Sequence, residues 1–425
     1  MKEIGLKSKM TSENKFKYSN ILLKELLLEK PRNGLYKSIE YQGKGNRLIK
    51  MKTIFENDII SNQKMELIQV TKEEEEKFSC KTNDLVFSRT SIVFEGVGKC
   101  CIVDNISDKP IFESNTFMIR LDPSKSVPKF YFYYFNSPQG RNNIYGIIRQ
   151  TAASQITSSD LMELSIPYPL FSIQQNVSSF LFSIDQRIIN LKQQNFILEM
   201  IIQSIFKSWF IDFDGITEFE DSELGKIPKG WKVIDLKNSL SLLKDGSHNP
   251  PKRVESGIRF IAGATDVKHF TIDFSKCTFI TQKDYEEIHK TWQIQSHDIL
   301  LTIVGTIGNV AIVNQNDLPF SLQRSLAVLR PNEKIDFIFL YCLLNSNKFE
   351  QFLYSNLNTT GQPGIYLGTL GGFQFVLPPK PLIEKFFKLS QTIVSNIQKN
   401  YSNMDYLMKI RNSLLPKLMS GEIRV

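Results

Sequence analysis

The sequence predicts an α+β protein built twice, from two similar α/β domains, each followed by one long helix, with a pseudo-twofold relation between the halves. Three observations predict it. The chain repeats itself at half its own length: an offset of 209 residues aligns Pro110 with Pro319, Asn136-Ser137 with Asn345-Ser346, Leu161 with Leu370 and Pro169 with Pro378. Each copy opens with short apolar runs punctuated by glycine, and each closes on apolar residues spaced alternately by three and four. A repeat of this length is no solenoid, whose units run to ~20–50 residues. It marks two domains on one polypeptide.

The first copy begins near Gly34 and Arg47, which match Gly246 and Arg259 of the second. Val70-Thr71 meets Ile280-Thr281, and Asp84-Leu85-Val86 meets Asp298-Ile299-Leu300. Leu85–Ser88 and Lys99–Val103, around Gly96 and Gly98, read as strand, turn, strand; so do Ile299–Thr302 and Val310–Val313 around Gly305 and Gly308. Residues Lys129–Ser137 and Asp336–Ser346 read as short helices. The aromatic run Phe130–Phe135 reads as core, because its counterpart Phe337-Ile338-Phe339-Leu340-Tyr341 is mostly apolar. Glu73–Glu76 reads as a solvated helix face.

The long helices follow. Val177, Leu181, Ile184, Ile188, Leu191, Asn195, Leu198, Ile202, Ile205 and Trp209 form a coiled-coil seam. The matching positions are Phe386, Ser390, Ile393, Ile397, Asn400, Met404, Leu407, Arg411, Leu414 and Leu418, with Ser390 and Arg411 expected to interrupt the seam. Asn195 and Asn400 are polar residues at seam positions, suited to fixing register. The expected boundaries are 1–170 for the first domain, 171–215 for the central helix and 216–230 for a linker. The second domain takes 231–380, and 381–425 forms the C-terminal helix and tail.

Composition narrows the function. A net charge of +8 is compatible with a polyanionic partner such as nucleic acid. The five cysteines form no C-x-x-C pair and there are four histidines, so neither a zinc site nor a disulfide framework is expected. Reduced thiols, a polar start without a signal-peptide core and no apolar run of ~20 residues give an expected cytoplasmic location, away from membranes. Catalytic signatures fail. Val93–Cys100 echoes the end of a phosphate-binding loop, but its first glycine is missing and Cys100 stands where a magnesium-binding hydroxyl is needed. Asn249-Pro250-Pro251-Lys252 echoes the loop of amino-methyltransferases, but Lys252 cannot stack on a base.

Three segments then carry a resemblance. Phe206-Lys207-Ser208-Trp209-Phe210-Ile211-Asp212-Phe213-Asp214-Gly215, Leu224-Gly225-Lys226-Ile227-Pro228-Lys229-Gly230-Trp231 and Leu414-Leu415-Pro416-Lys417-Leu418-Met419-Ser420-Gly421-Glu422-Ile423 resemble motifs of type I restriction–modification specificity subunits. They fall in the family's order. Thr151–Ile156 and Thr360–Ile365 occupy the place of a family loop before the last strand. The resemblance implies two target-recognition domains separated by two long helices that form an antiparallel coiled coil. It implies that each domain reads one half of a bipartite double-stranded DNA site. It further implies no catalysis and no cofactor in this chain; two methyltransferase subunits and motor-nuclease subunits would join it and use adenosylmethionine, ATP and magnesium. The first domain departs from the pattern by an insertion around Phe87–Val97. The residues themselves leave open a recognition subunit of another multisubunit DNA methyltransferase, or a coiled-coil scaffold that does not touch DNA.

Base reading requires hydrogen-bonding and basic side chains on loops. In the first domain these are Arg89, Thr90, Ser91, Lys99, Arg149, Gln150, Thr151, Ser154 and Gln155. In the second they are Ser247, His248, Asn249, Lys252, Arg253, Gln323, Arg324, Ser325, Thr359, Thr360 and Gln362. No residue is expected to bind a metal.

Overall fold

A computed structural model describes residues 18–149, 154–263, 266–358 and 362–425. The chain divides into two compact units, Met1–Ile188 with Tyr406–Val425, and Ile189–Asp405. The division falls inside both long helices, Phe171–Phe210 and Lys380–Ser420, rather than at their ends.

The first unit is built on a five-stranded sheet. Its order is Arg32–Asn33, Thr116–Ile119, Leu85–Ser88, Cys100–Val103 and Ile59–Ile60, antiparallel except for the last pair. The central strands are buried along their whole length, so they read as continuous apolar runs rather than alternating ones. The helix Pro128–Asn136 covers them, with Phe87 stacked on Phe117 at 5.4 Å and edge-on to Phe135 at 5.1 Å. Phe130 to Phe135 are all buried, as a helix apolar on every side requires. The tyrosines keep their hydroxyls partnered: Tyr131 donates to Pro167 O at 3.2 Å and Tyr133 to Asp185 at 2.6 Å. The acidic run lies on helix Lys72–Phe78, capped by Thr71, with Glu73 and Glu76 in solvent.

The second unit repeats this frame with a four-stranded antiparallel sheet, Leu240–Asp245, Leu326–Pro331, Ile299–Thr302 and Val310–Ile312. The helix Phe337–Leu344 lies over it. Individual bonds recur. Arg120 grips Asp84 through two bonds of 2.7 and 2.6 Å, and Arg330 grips Asp298 at 2.7 and 2.8 Å. Ser88 Oγ accepts from Lys99 N, and Thr302 Oγ1 from Asn309 N, both at 2.9 Å. Asn136 and Asn345 each donate to the carbonyl four residues back, at 2.9 and 2.8 Å. Glycine is required at two equivalent places: a Cβ on Gly34 would stand 2.0 Å from Glu113 O, and one on Gly246 2.2 Å from Leu322 O.

The segment 216–230 was expected as a linker. It is a hairpin, Phe219–Ser222 against Gly225–Pro228, whose Ile227 joins the second unit's core. The motif before it closes the central helix: Asp212 N donates to Lys207 O at 2.9 Å, Lys207 pairs with Asp212, and Ser208 Oγ donates to Asp214 at 2.7 Å. Phe213 then adopts φ +58 and packs on Trp231 at 5.6 Å.

Within each unit the long-helix segments run antiparallel. In the first, Val177, Leu181, Ile184 and Ile188 are buried, and Asn176 meets Val425 while Asp185 meets Arg411. In the second, Leu191, Asn195 and Ile202 are buried; Leu198, Ile205 and Trp209 are half-buried. Asn400 Nδ2 donates to Asn195 Oδ1 at 2.8 Å, and Asn195 Nδ2 to Ile397 O at 3.2 Å. On the C-terminal helix Phe386, Ile397, Met404 and Leu418 are buried, while Ile393, Asn400, Leu407 and Leu414 are half-buried beside buried Val394 and Leu415. Ser390 and Arg411 do not interrupt the packing. Ser390 is buried and donates to Phe386 O at 2.6 Å, and Arg411 donates to the buried carboxylate of Asp185 at 2.6 Å. Spacing shows where a polar residue falls; it does not show what answers it.

Candidate nucleic-acid interface

In the first unit, the strand Leu85–Ser88 runs out of the sheet into Arg89. Arg89 N donates to Asn115 O at 2.8 Å, and Arg89 O accepts from Ile156 N at 3.0 Å. Thr90-Ser91 then pairs antiparallel with Ser154-Gln155, and Arg149 bridges to Gln155. Six of the residues expected from the sequence thus share one two-stranded ribbon and its flank. Gln150 and Thr151 lie outside the described residues.

The cations here differ in availability. Arg149 is exposed and pairs with Asp160 at 2.7 Å, which holds the Asp160 carboxyl below its usual range. An exposed pair of this kind is weak and can exchange for a phosphate. Lys99 departs from the expectation: its ammonium lies on Asp58 at 3.2 Å and on Phe55 O at 3.1 Å, bracing the sheet edge.

In the second unit the equivalent rim gathers three loops. Ser247 N donates to Leu322 O at 2.9 Å, Arg324 N to Ser247 O at 3.2 Å, and Gln323 N to Ile261 O at 3.0 Å. Ser325 O accepts from Ile303 N at 2.9 Å, and Gly305 N donates to Pro363 O at 3.0 Å. Ser247, His248, Asn249, Gln323, Arg324, Ser325 and Gln362 therefore line one continuous edge, with His248, Asn249, Arg324 and Gln362 exposed. His248 Nε2 lies 2.8 Å from Asp245. Lys252 is exposed on the adjoining proline loop, but Arg253 turns inward. Its guanidinium sits 3.9 Å over the Phe260 ring and donates to Pro251 O at 2.8 Å, and burial lowers its pKa. Arg253 is a packing residue. Thr359 and Thr360 lie outside the described residues.

Sequence reasoning missed the apolar members of the rims. Tyr36, directly after the Gly34 turn, stands where His248 stands in the second unit, and it is 84% exposed. Ile92 and Val93 project beside Ser91. A search for polar side chains passes over them; the alignment of Gly34 with Gly246 was the signal for Tyr36. Among the described residues no cluster of His, Cys, Asp or Glu forms a metal site, and no helix is long and apolar enough to cross a membrane.

One frame used twice, with a different rim on each copy, defines a duplicated recognition protein. The model of the type I restriction modification DNA specificity domain matches residues 30–199 and again 228–416, and the chain belongs to this family. It is 32% identical over 333 residues to the type I restriction enzyme MjaIX specificity subunit of Methanocaldococcus jannaschii, covering 75% of this chain and 74% of that relative. It is 24% identical over 407 residues to the HindI specificity subunit of Haemophilus influenzae, covering 82% and 88%. Among solved structures, the type I restriction-modification S subunit from M. genitalium matches with a TM-score of 0.57 at 17% identity, over 96% of this chain and 98% of that one. That likeness shows the fold, an α+β architecture with two domains.

Proposed function

We propose that this chain reads a bipartite duplex DNA target, one half-site per unit, and recruits methyltransferase subunits without performing chemistry itself. The observation that carries the reading is the duplicated rim: the same frame ends twice in an edge of Ser, Gln and Arg side chains, with Thr in the first unit and Asn in the second, half-buried but for Arg149 in the first unit and exposed at His248, Asn249, Arg324 and Gln362 in the second. Those are the residue types that distinguish base edges in the major groove. The net charge of +8 suits the phosphates on either side. On this reading adenosylmethionine, ATP and magnesium serve the partner subunits, including the motor-nuclease subunits of a full restriction complex.

A second feature supports partner docking. The central helix is apolar on two sides. Phe206 and Ile202 face the core, while Phe196, Ile197, Met200 and Ile201 lie on the opposite face, all exposed. A helix apolar on both faces is stable in water only when the second face is covered, and we assign it to a methyltransferase subunit.

Mapping of methylated adenines in cells with this gene present and deleted tests the reading. A split motif that vanishes on deletion is the expected result. Identical methylation in both strains refutes it.

A further inference from the structure

We infer that Ile92 and Val93, at the tip of the first unit's rim, contact thymine methyl groups in the major groove. The inference rests on the DNA-reading function proposed above. It begins with a difference between two loops that are otherwise closed by the same bonds. The second unit joins Thr302 to Asn309 through residues 303–308, and the first joins Ser88 to Lys99 through residues 89–98. Gly308 N donates to Thr302 O at 3.0 Å and Gly98 N to Ser88 O at 2.9 Å, so both loops start and end alike. The longer one spends its extra length on a turn that holds Ile92 wholly in solvent, at 101% exposure, and Val93 at 61%.

Two apolar side chains on a slack loop fold back onto the surface. This turn prevents that. Ser91 Oγ accepts from Val93 N at 3.1 Å, and Gly96 N donates to Val93 O at 2.9 Å. Ser88 Oγ donates to Gly96 O at 2.6 Å from below. One nitrogen of Arg141 binds both Glu95 O at 2.8 Å and Val97 O at 2.7 Å, and the Phe94 ring packs 5.2 Å from Tyr145. Gly96 fits where a Cβ would come within 2.4 Å of Ser91 Oγ. The turn is braced from its base, and what it presents is Ile92 and Val93.

What they meet follows from the ribbon that carries them. Thr90-Ser91 and Ser154-Gln155 make a two-stranded antiparallel ribbon, and the major groove of B-DNA admits such a ribbon. The polar side chains match the donors and acceptors of base edges. The one apolar group the groove offers is the C5 methyl of thymine. Two β-branched side chains are far too small a patch for a stable protein interface, which buries about 800 Å² per partner.

Deoxyuridine removes that methyl and nothing else. Once the methylation map gives the target, duplexes with single thymine-to-deoxyuridine changes in each half-site are titrated with the full chain in its methyltransferase complex. Burial of one methyl group contributes about fourfold in affinity. The wild-type complex is expected to lose about fourfold at one or two positions in a single half-site. Ile92→Ser combined with Val93→Ser should bind the thymine duplex as weakly as wild type binds the deoxyuridine one, and should no longer distinguish them. Ile92→Leu should keep the distinction. Wild-type indifference to every substitution, a half-site for this unit without thymine, or a serine variant that still discriminates overturns the inference while leaving the DNA reading intact. Failure of the complex to bind any duplex overturns both.

Discussion

Arg411→Met tests the helix pairing of the first unit where sequence spacing gave the wrong impression. Asp185 is 6% exposed on the central helix, and its carboxylate accepts from Arg411 Nη1 and from the Tyr133 hydroxyl, both at 2.6 Å. Methionine keeps the length and the apolar stem of the arginine and removes the guanidinium. It leaves a buried carboxylate with one neutral donor. Stranding one member of a buried ion pair costs about 3–5 kcal/mol. The Arg411 side chain is 23% exposed, and Tyr133 remains, which brings the expected loss down to roughly 2–3 kcal/mol. Asp185→Asn in the same background should recover most of it, since a neutral amide oxygen still accepts from Tyr133 and no charge is left uncompensated. The double variant should lie within about 1 kcal/mol of the parent. Urea denaturation of the parent, the single and the double variant measures this, and helix assembly is followed by far-UV circular dichroism. An Arg411→Met protein with the parent's midpoint refutes the pairing; so does a double variant as unstable as the single one.

Frame and rim should separate under mutation. Gly246→Ala drives a methyl into the Leu322 carbonyl and should cost about 1–3 kcal/mol in urea melts, whereas Arg324→Ala on the exposed edge should leave stability within about 0.5 kcal/mol and weaken duplex binding by about 1–3 kcal/mol. Burial raises Glu199 to about 7 from 4.5, so the folded state keeps a proton that the unfolded chain has already released. Stability from this group therefore falls as pH rises from about 4.5 to 7 and is level above; with a discount for partial exposure, Glu199→Gln should gain about 1–2 kcal/mol at pH 8 and little at pH 5, read from midpoints at the two pH values. Phe196→Gln combined with Met200→Gln should leave melting unchanged and abolish co-purification with the methyltransferase subunit; retained co-purification would remove that face from the docking surface.

The repeat and the helices were legible in the sequence because both are patterns of spacing. Leu85–Ser88 and Phe171–Phe210 follow from apolar runs and heptads alone. Partners across space were not legible. Arg411 looked like a break in a seam because its answer, Asp185, lies on another helix. Residues 216–230 looked like a linker because strands of four residues carry almost no periodicity; the hairpin shows only in the antiparallel pairing of Phe219–Ser222 with Gly225–Pro228. The rim was half legible. Residue type located its loops, yet it could not tell Arg324, which faces solvent, from Arg253, which lies on Phe260, or from Lys99, which lies on Asp58. It also overlooked Tyr36 and Ile92, because apolar residues are assigned to cores by default.

The division of labour within each unit explains how one frame can carry two different rims. The bonds that close the frame are buried or main-chain: Asp84 with Arg120 and Asp298 with Arg330, Ser88 and Thr302 on the turn, Gly34 and Gly246 against the neighbouring carbonyls. At the rim itself the shared bonds are between backbone atoms, as where Arg89 N meets Asn115 O and Ile303 N meets Ser325 O. A backbone bond does not depend on which side chain its residue bears. Arg89 in one unit can therefore be Ile303 in the other, and Tyr36 can be His248, with these backbone bonds kept. Side chains at such positions are released from holding the fold, and selection can act on them through what they touch outside the protein. On the proposed function, the residues that set the target are those that contribute least to stability, which is why a sequence read for stability identifies the frame and leaves the target open.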